Sequence, residues 1–96
     1  MNIYIVTRND NHYKGDDYES FVCASETEND AKMLHPEDFR MELDERGFFK
    51  PRPGASCKLN LAMSYWAKKP EDISVELVGV TSKNYDVEQV ILASKE

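Results

Sequence analysis

The sequence predicts an α+β fold: an antiparallel sheet of about four strands with one or two short helices on one face. Three observations carry that expectation. Runs rich in β-branched and aromatic residues stand at both ends of the chain, at 2–8, 18–24, 73–81 and 88–94. Helix start and stop signals cluster between them, over residues 25–47. No internal repeat or low-complexity segment interrupts the order, and 96 residues make one domain with a single modest core.

The elements follow in order. In NIYIVTR (2–8), Ile3 and Ile5 alternate with Tyr4 and Val6, so both faces are apolar and a central strand buried on both sides is expected. NDNHYKGDD (9–17) is polar and reads as a loop or wide hairpin connection. YESFVCA (18–24) is a second strand, pairing antiparallel with the first. In SETENDAKMLHP, Ser25 and Glu28 have the spacing of a capping box, and Glu26, Glu28 and Asp30 complement the helix dipole. Ala31 and Leu34 form the buried stripe of that helix, which ends near His35 because Pro36 disfavours helical backbone before it. Pro36 then starts a second helix, PEDFRMELDERG, with Phe39 and Leu43 on one face and Arg46 and Gly47 as terminators. Residues 47–57 carry Pro51, Pro53 and two glycines and are expected to be irregular. KLNLAMSYW fits two periods: Leu59, Leu61, Met63 and Tyr65 alternate, while Leu59, Ala62, Met63 and Trp66 recur as on a helix. The expectation is a strand in its second half. ISVELVGVT (73–81) is the clearest strand, with Ile73, Val75 and Leu77 on one face. SKNYD supplies turn residues, and EQVILAS (88–94) is expected to return as its hairpin partner.

Charge is distributed in three blocks. The net charge is −6, but residues 1–45 hold four bases against twelve acids, residues 46–70 hold six bases and no acid, and residues 71–96 hold two bases against six acids. An acidic shell disfavours general nucleic-acid binding, because phosphate repulsion reaches about a Debye length, roughly 8–10 Å. A confined basic block still suits a local anion. Hydrophobic content of 41% is that of an ordinary globule. Two cysteines, Cys23 and Cys57, make no disulfide scaffold and read as free thiols of a reducing compartment. The opening MNIYIVTRNDNH lacks the basic and apolar regions of a signal peptide, and no window approaches 18 apolar residues. A cytoplasmic protein with no membrane association is the expectation.

Catalytic patterns are sparse. His12, His35, Cys23 and Cys57 show no CxxC or HxxxH spacing, so no metal site is expected. Asp10, Asp16 and Asp17 lack the order of a calcium loop and read as a solvated loop. Cys23, on a strand, reads as a small core hydrophobe; Cys57, beside Lys58, reads as a plain thiol. The four glycines are scattered and form no phosphate loop. With no convergent acid, base and nucleophile, the chain is expected to be a non-enzyme without cofactors.

Two surfaces are candidates for binding. Arg46, Lys50, Arg52 and Lys58 accompany Phe48 and Phe49, a combination in which aromatics stack bases and cations hold phosphates. A nucleotide, single-stranded nucleic acid or an acidic protein fits such a block, and Lys68 and Lys69 extend it if the fold brings them near. The ordinary alternative is a solvated loop, the usual fate of a charge run. Glu37, Asp38, Glu42, Asp44 and Glu45, with Asp30, concentrate acid on the two expected helices, a pattern that imitates phosphates or simply confers solubility.

Five segments, IYIVTR (3–8), DDYESFVCAS (16–25), DAKMLHP (30–36), WAKKPEDISVELVG (66–79) and VILAS (90–94), together about half the chain, resemble small proteins encoded by tailed bacteriophages. The resemblance implies a compact phage accessory protein acting in the host cytoplasm, and it assigns no catalytic residues. Some phage proteins of this size inhibit host defences, CRISPR systems among them. The expected function is therefore non-enzymatic binding and inhibition of a host or host-defence protein such as a CRISPR effector. The other expectation is a binder of a small anionic ligand or single-stranded nucleic acid through 46–58.

Overall fold

The computed structural model describes residues 1–10, 17–52, 62–80 and 88–95, with side chains described to residue 93. β1 (Asn2–Arg8) and β2 (Tyr18–Ser25) pair antiparallel, with Tyr4 opposite Cys23 and Val6 opposite Phe21. β6 (Ile73–Val80) adds to the free side of β1, and β7 (Gln89–Lys95) to the free side of β2, giving an antiparallel order β6-β1-β2-β7. A second sheet, β3-β4-β5, is built from β3 (Leu34–His35), β4 (Phe39–Leu43) and β5 (Phe49–Pro51). The chain is thus a small, sheet-rich α+β domain, with one short helix, α1 (Glu28–Lys32), and two 3₁₀ turns, Met63–Tyr65 and Pro70–Asp72.

The core lies against one face of the larger sheet. Tyr4, Val6, Phe21, Cys23 and Ile73 point from it toward Ala31, Leu34, Met41, Phe49, Trp66 and Ala67. Trp66 and Phe21 are the largest fully buried side chains and meet edge to face at 5.2 Å. Burial of such rings supplies much of the driving force in a core this small.

Several expectations are corrected. β1 is central, but only one of its faces is buried: Tyr4 and Val6 are covered, whereas Ile3 and Ile5 are half-exposed. Ser25 is not a helix cap. It is the fully buried last residue of β2, and Thr27 caps α1 instead, its hydroxyl accepting from the Asp30 N–H at 3.1 Å. The helix stops at Lys32, and Leu34–His35 is extended. The expected second helix is absent. PEDFRMELDERG forms a turn, strand β4 and the turn into β5. Residues 49–51 are therefore not irregular, and Pro51 is tolerated because β5 is an edge strand of the small sheet. Residues 63–65 form a 3₁₀ turn rather than a strand; Leu59 and Leu61 lie outside the described residues. β6 and β7 form no hairpin and occupy opposite edges of the sheet. Among the described residues no helix is long and apolar enough to cross a membrane.

Candidate functional site

The β4–β5 hairpin gathers most of the charged residues that the sequence singles out. Its turn is closed by the Asp44 N–H donating to Phe48 O (2.8 Å) and the Gly47 N–H donating to Asp44 O (3.0 Å). Gly47 has φ +83°, in the left-handed region where a side chain is strained. The Asp44 carboxylate accepts from the N–H groups of Phe48 (2.9 Å) and Arg46 (2.8 Å). These bonds, that to Phe48 foremost, hold its pKa below the usual carboxylate value.

Across the hairpin, Glu42 lies opposite Lys50, and their charged ends meet at 3.2 Å. Arg46 stands over the Phe48 ring at 5.0 Å. Phe49 is only 7% exposed and belongs to the core, so Phe48 alone of the pair offers an aromatic surface. Arg52 is exposed; Lys58 lies outside the described residues. Lys68 does join the block: its carbonyl accepts the Phe49 N–H at 2.7 Å, and its side chain borders with Arg46 and Phe48 an open depression of about 310 Å³. Acidic and basic candidates are therefore interleaved on one hairpin, where Glu42 and Asp44 offset Lys50 and Arg46. Glu37, Asp38 and Glu45 are exposed in the turns at its two ends.

Asp38 has a different task. It adopts a left-handed backbone at φ 66°, and its Oδ1 accepts the Val90 N–H at 2.8 Å, joining the small sheet to β7. Arg40 reinforces that junction, donating to Asp30 (2.9 Å) and Glu88 (3.0 Å), while Ser25 donates to Glu88 (3.2 Å). The Arg40 guanidinium beside it lowers the Asp30 pKa.

Among the described residues, the one histidine and the one cysteine are committed to the fold; His12 and Cys57 lie outside them. His35 is fully buried, donates from Nε2 to Ala62 O (2.8 Å) and accepts the Glu37 N–H at Nδ1 (3.0 Å). Burial lowers its pKa to about 4. The buried Cys23 thiol is pushed up to about 11, chiefly by desolvation. Among the described residues no group of three or more His, Cys, Asp or Glu is arranged to hold a metal.

The sequence reading missed the outer face of the larger sheet. The register aligns Glu76, Ile5, Val22 and Leu92 across all four strands, opposite the face that packs on the core. Leu92 is 64% exposed on that face, whereas Leu77 (57%), opposite Tyr4, and Val80 (76%), opposite Asn2, are exposed along the β6 edge. The signal lies in the apolar character of both faces of β1, a pattern that fits burial on both sides and exposure on one equally well. No protein-family model, curated protein or solved structure matches the chain.

Proposed function

We propose that the protein is a non-enzymatic binding module that docks a protein partner on the outer face and edges of its four-stranded sheet. The observation that carries this reading is the exposure of large apolar side chains along the two edge strands: Leu77, Val78 and Val80 on β6, and Ile91 and Leu92 on β7. Apolar groups concentrated on the exposed parts of one sheet of a small domain mark an interaction surface. An edge strand with unpaired backbone groups can also accept a strand from a partner. The resemblance to phage accessory proteins supplies the partner class: a host or host-defence protein, a CRISPR effector among them, which the bound module would block in the host cytoplasm.

The test is capture from host lysate at about 0.15 M salt, where exposed charge pairs are largely screened. The reading expects one stoichiometric protein, lost with Leu92→Lys or Val80→Lys and retained with Arg46→Ala. Loss with Arg46→Ala alone, together with salt-sensitive binding of nucleotides or single-stranded nucleic acid, would favour the anionic-ligand reading. That reading has in its support the placement of Arg46 over Phe48 with Lys68 alongside. Capture of nothing, or of a protein indifferent to the sheet substitutions, overturns the sheet proposal.

A further inference from the structure

β6 is an edge strand of the larger sheet, with β1 on its one paired side. Its register with β1 is regular from Ile73 to Leu77 and then breaks: Leu77 and Gly79 face Tyr4 and Ile3, which leaves Val78 as a bulged residue. The Asn9 N–H donates to Asp72 O at 2.8 Å and sets the alternation of the ladder. Ser74 and Glu76 therefore exchange hydrogen bonds with Thr7 and Ile5, and Val75 and Leu77 turn their N–H and C=O groups to the other side. That side is open, because Glu76, Leu77 and Val78 are exposed in succession, on both faces of the sheet. Tyr4, across from Leu77 on the core face, is buried, so the core layer ends between them.

The chemistry of this edge is one-sided. Val75 and Leu77 form an apolar strip on the core face, and Glu76 stands between them on the outer face. Residues 71–80 hold three acids, Glu71, Asp72 and Glu76, and no base. β7 offers no comparable edge: its register with β2 shifts twice, between Tyr18 and Ser20 and between Val22 and Cys23.

We propose that the β6 edge accepts, as an added antiparallel strand, an extended partner segment in which apolar residues alternate with lysine or arginine. The segment's backbone pairs with Val75 and Leu77. Its apolar side chains flank those two on the core face, and a cation lies beside Glu76 on the outer face. A second copy of the chain is a poor occupant, because β6 against β6 brings acids to acids. The inference rests on the sheet-docking reading and adds to it the edge, the strand direction and the charge of the partner.

The test is titration of the ¹⁵N-labelled full chain, at about 0.05 M salt, with a blocked nine-residue peptide of alternating valine and lysine. Amide resonances of Ser74–Val78 should shift most and saturably, with Kd of about 1 mM or tighter. At ten times Kd, hydrogen exchange of the Val75 and Leu77 amides should slow by about tenfold. The matching valine–glutamate peptide should bind about fivefold more weakly or worse, and Glu76→Lys, at an exposed position, should reverse that order. Leu77→Pro removes an outward N–H and no bond to β1, so it should weaken the valine–lysine peptide by about fivefold or more. No saturable shift overturns the proposal and leaves Glu76 as a charge that keeps edges apart. Equal affinity for the two peptides in wild type and in Glu76→Lys overturns the charge of the partner. A lysate partner lost with Leu92→Lys but kept with both β6 variants overturns the edge assignment, while the docking reading stands.

Discussion

His35 shows how one buried side chain sets a pH response. Its two ring nitrogens hold Ala62 O and the Glu37 N–H, and its ring stacks on Phe39 at 4.4 Å, an arrangement that requires the neutral Nε2–H tautomer. The folded pKa of about 4 lies below the ordinary histidine value of 6.5, so the unfolded chain takes up the proton first as pH falls. The stability this contributes is complete above pH 6.5 and is lost as the pH drops through about 4. Its full size is about 3 kcal/mol by linkage. Urea midpoints should therefore decline between pH 6.5 and 4.5 in the wild type, and His35→Gln should flatten that part of the curve. An equal decline in the variant would place the response elsewhere. Cys23 makes a complementary case: with its thiol protonated and buried, in a Cys57→Ser background it should react with a disulfide reagent only as fast as the chain opens. Rapid labelling of the native protein would show the thiol to be accessible. Asp38 couples backbone strain to a tertiary bond. Asp38→Ala removes the acceptor of the Val90 N–H and keeps a Cβ in the left-handed region, for an expected loss of about 1–2 kcal/mol; Asp38→Asn, which tolerates that region and keeps an acceptor, should cost less. Thermal melts of the two variants decide the matter, and equal losses would mean that the carboxylate charge matters more than the backbone and the bond.

At the scale of elements, the strands were more legible than the helices. β1, β2, β6 and β7 fall where the β-branched runs lie, because a strand on a core face needs little beyond alternation and side-chain shape. The segment PEDFRMELDERG carried two codes at once. Proline at its start, glycine at its end and Phe39 four residues before Leu43 spell a helix. Phe39, Met41 and Leu43 alternating with Arg40 and Glu42 spell a strand. Tertiary contacts chose the strand: Met41 is fully buried, its N–H donates to Met33 O at 2.6 Å, and Arg40 on the other face reaches Asp30 and Glu88. A five-residue helix offers little cooperative stability of its own, so α1 likewise exists by packing Ala31 into the core. The candidate site changed with this reassignment. Charges read as a basic loop and an acidic helix became cross-strand neighbours, and their pairing was invisible without the hairpin register. Gly47 tests the hairpin itself. A Cβ there meets nothing within 4 Å, so Gly47→Ala should cost only the backbone penalty, about 1 kcal/mol, with the fold intact by circular dichroism. A loss several times larger would indicate that the turn is shared with another contact.

At the scale of the whole molecule, the decisive feature is the crossover that no local pattern announced. Strands adjacent in sequence usually pair, which is why β6 and β7 read as a hairpin. Instead β6 takes the open side of β1 and β7 that of β2, so both edges of the sheet are late strands bearing exposed Val80 and Leu92. A chain with such edges stays dispersed partly by charge, here a net −6 that makes copies repel. Salt separates the two forces. At about 1 M ionic strength the Debye length falls to roughly 3 Å, while apolar association is not screened. Sedimentation should therefore show a monomer at low salt and weight-average mass rising with concentration at high salt. Leu92→Lys should remain monomeric in both, because it places a charge at the edge-strand end of the Ile5–Val22–Leu92 row. Because Leu92 is 64% exposed, that change should alter stability by no more than about 0.5 kcal/mol. Self-association unaffected by Leu92→Lys would move the adhesive surface off the sheet, and a marked fall in Tm would show that Leu92 packs within the fold rather than facing a partner.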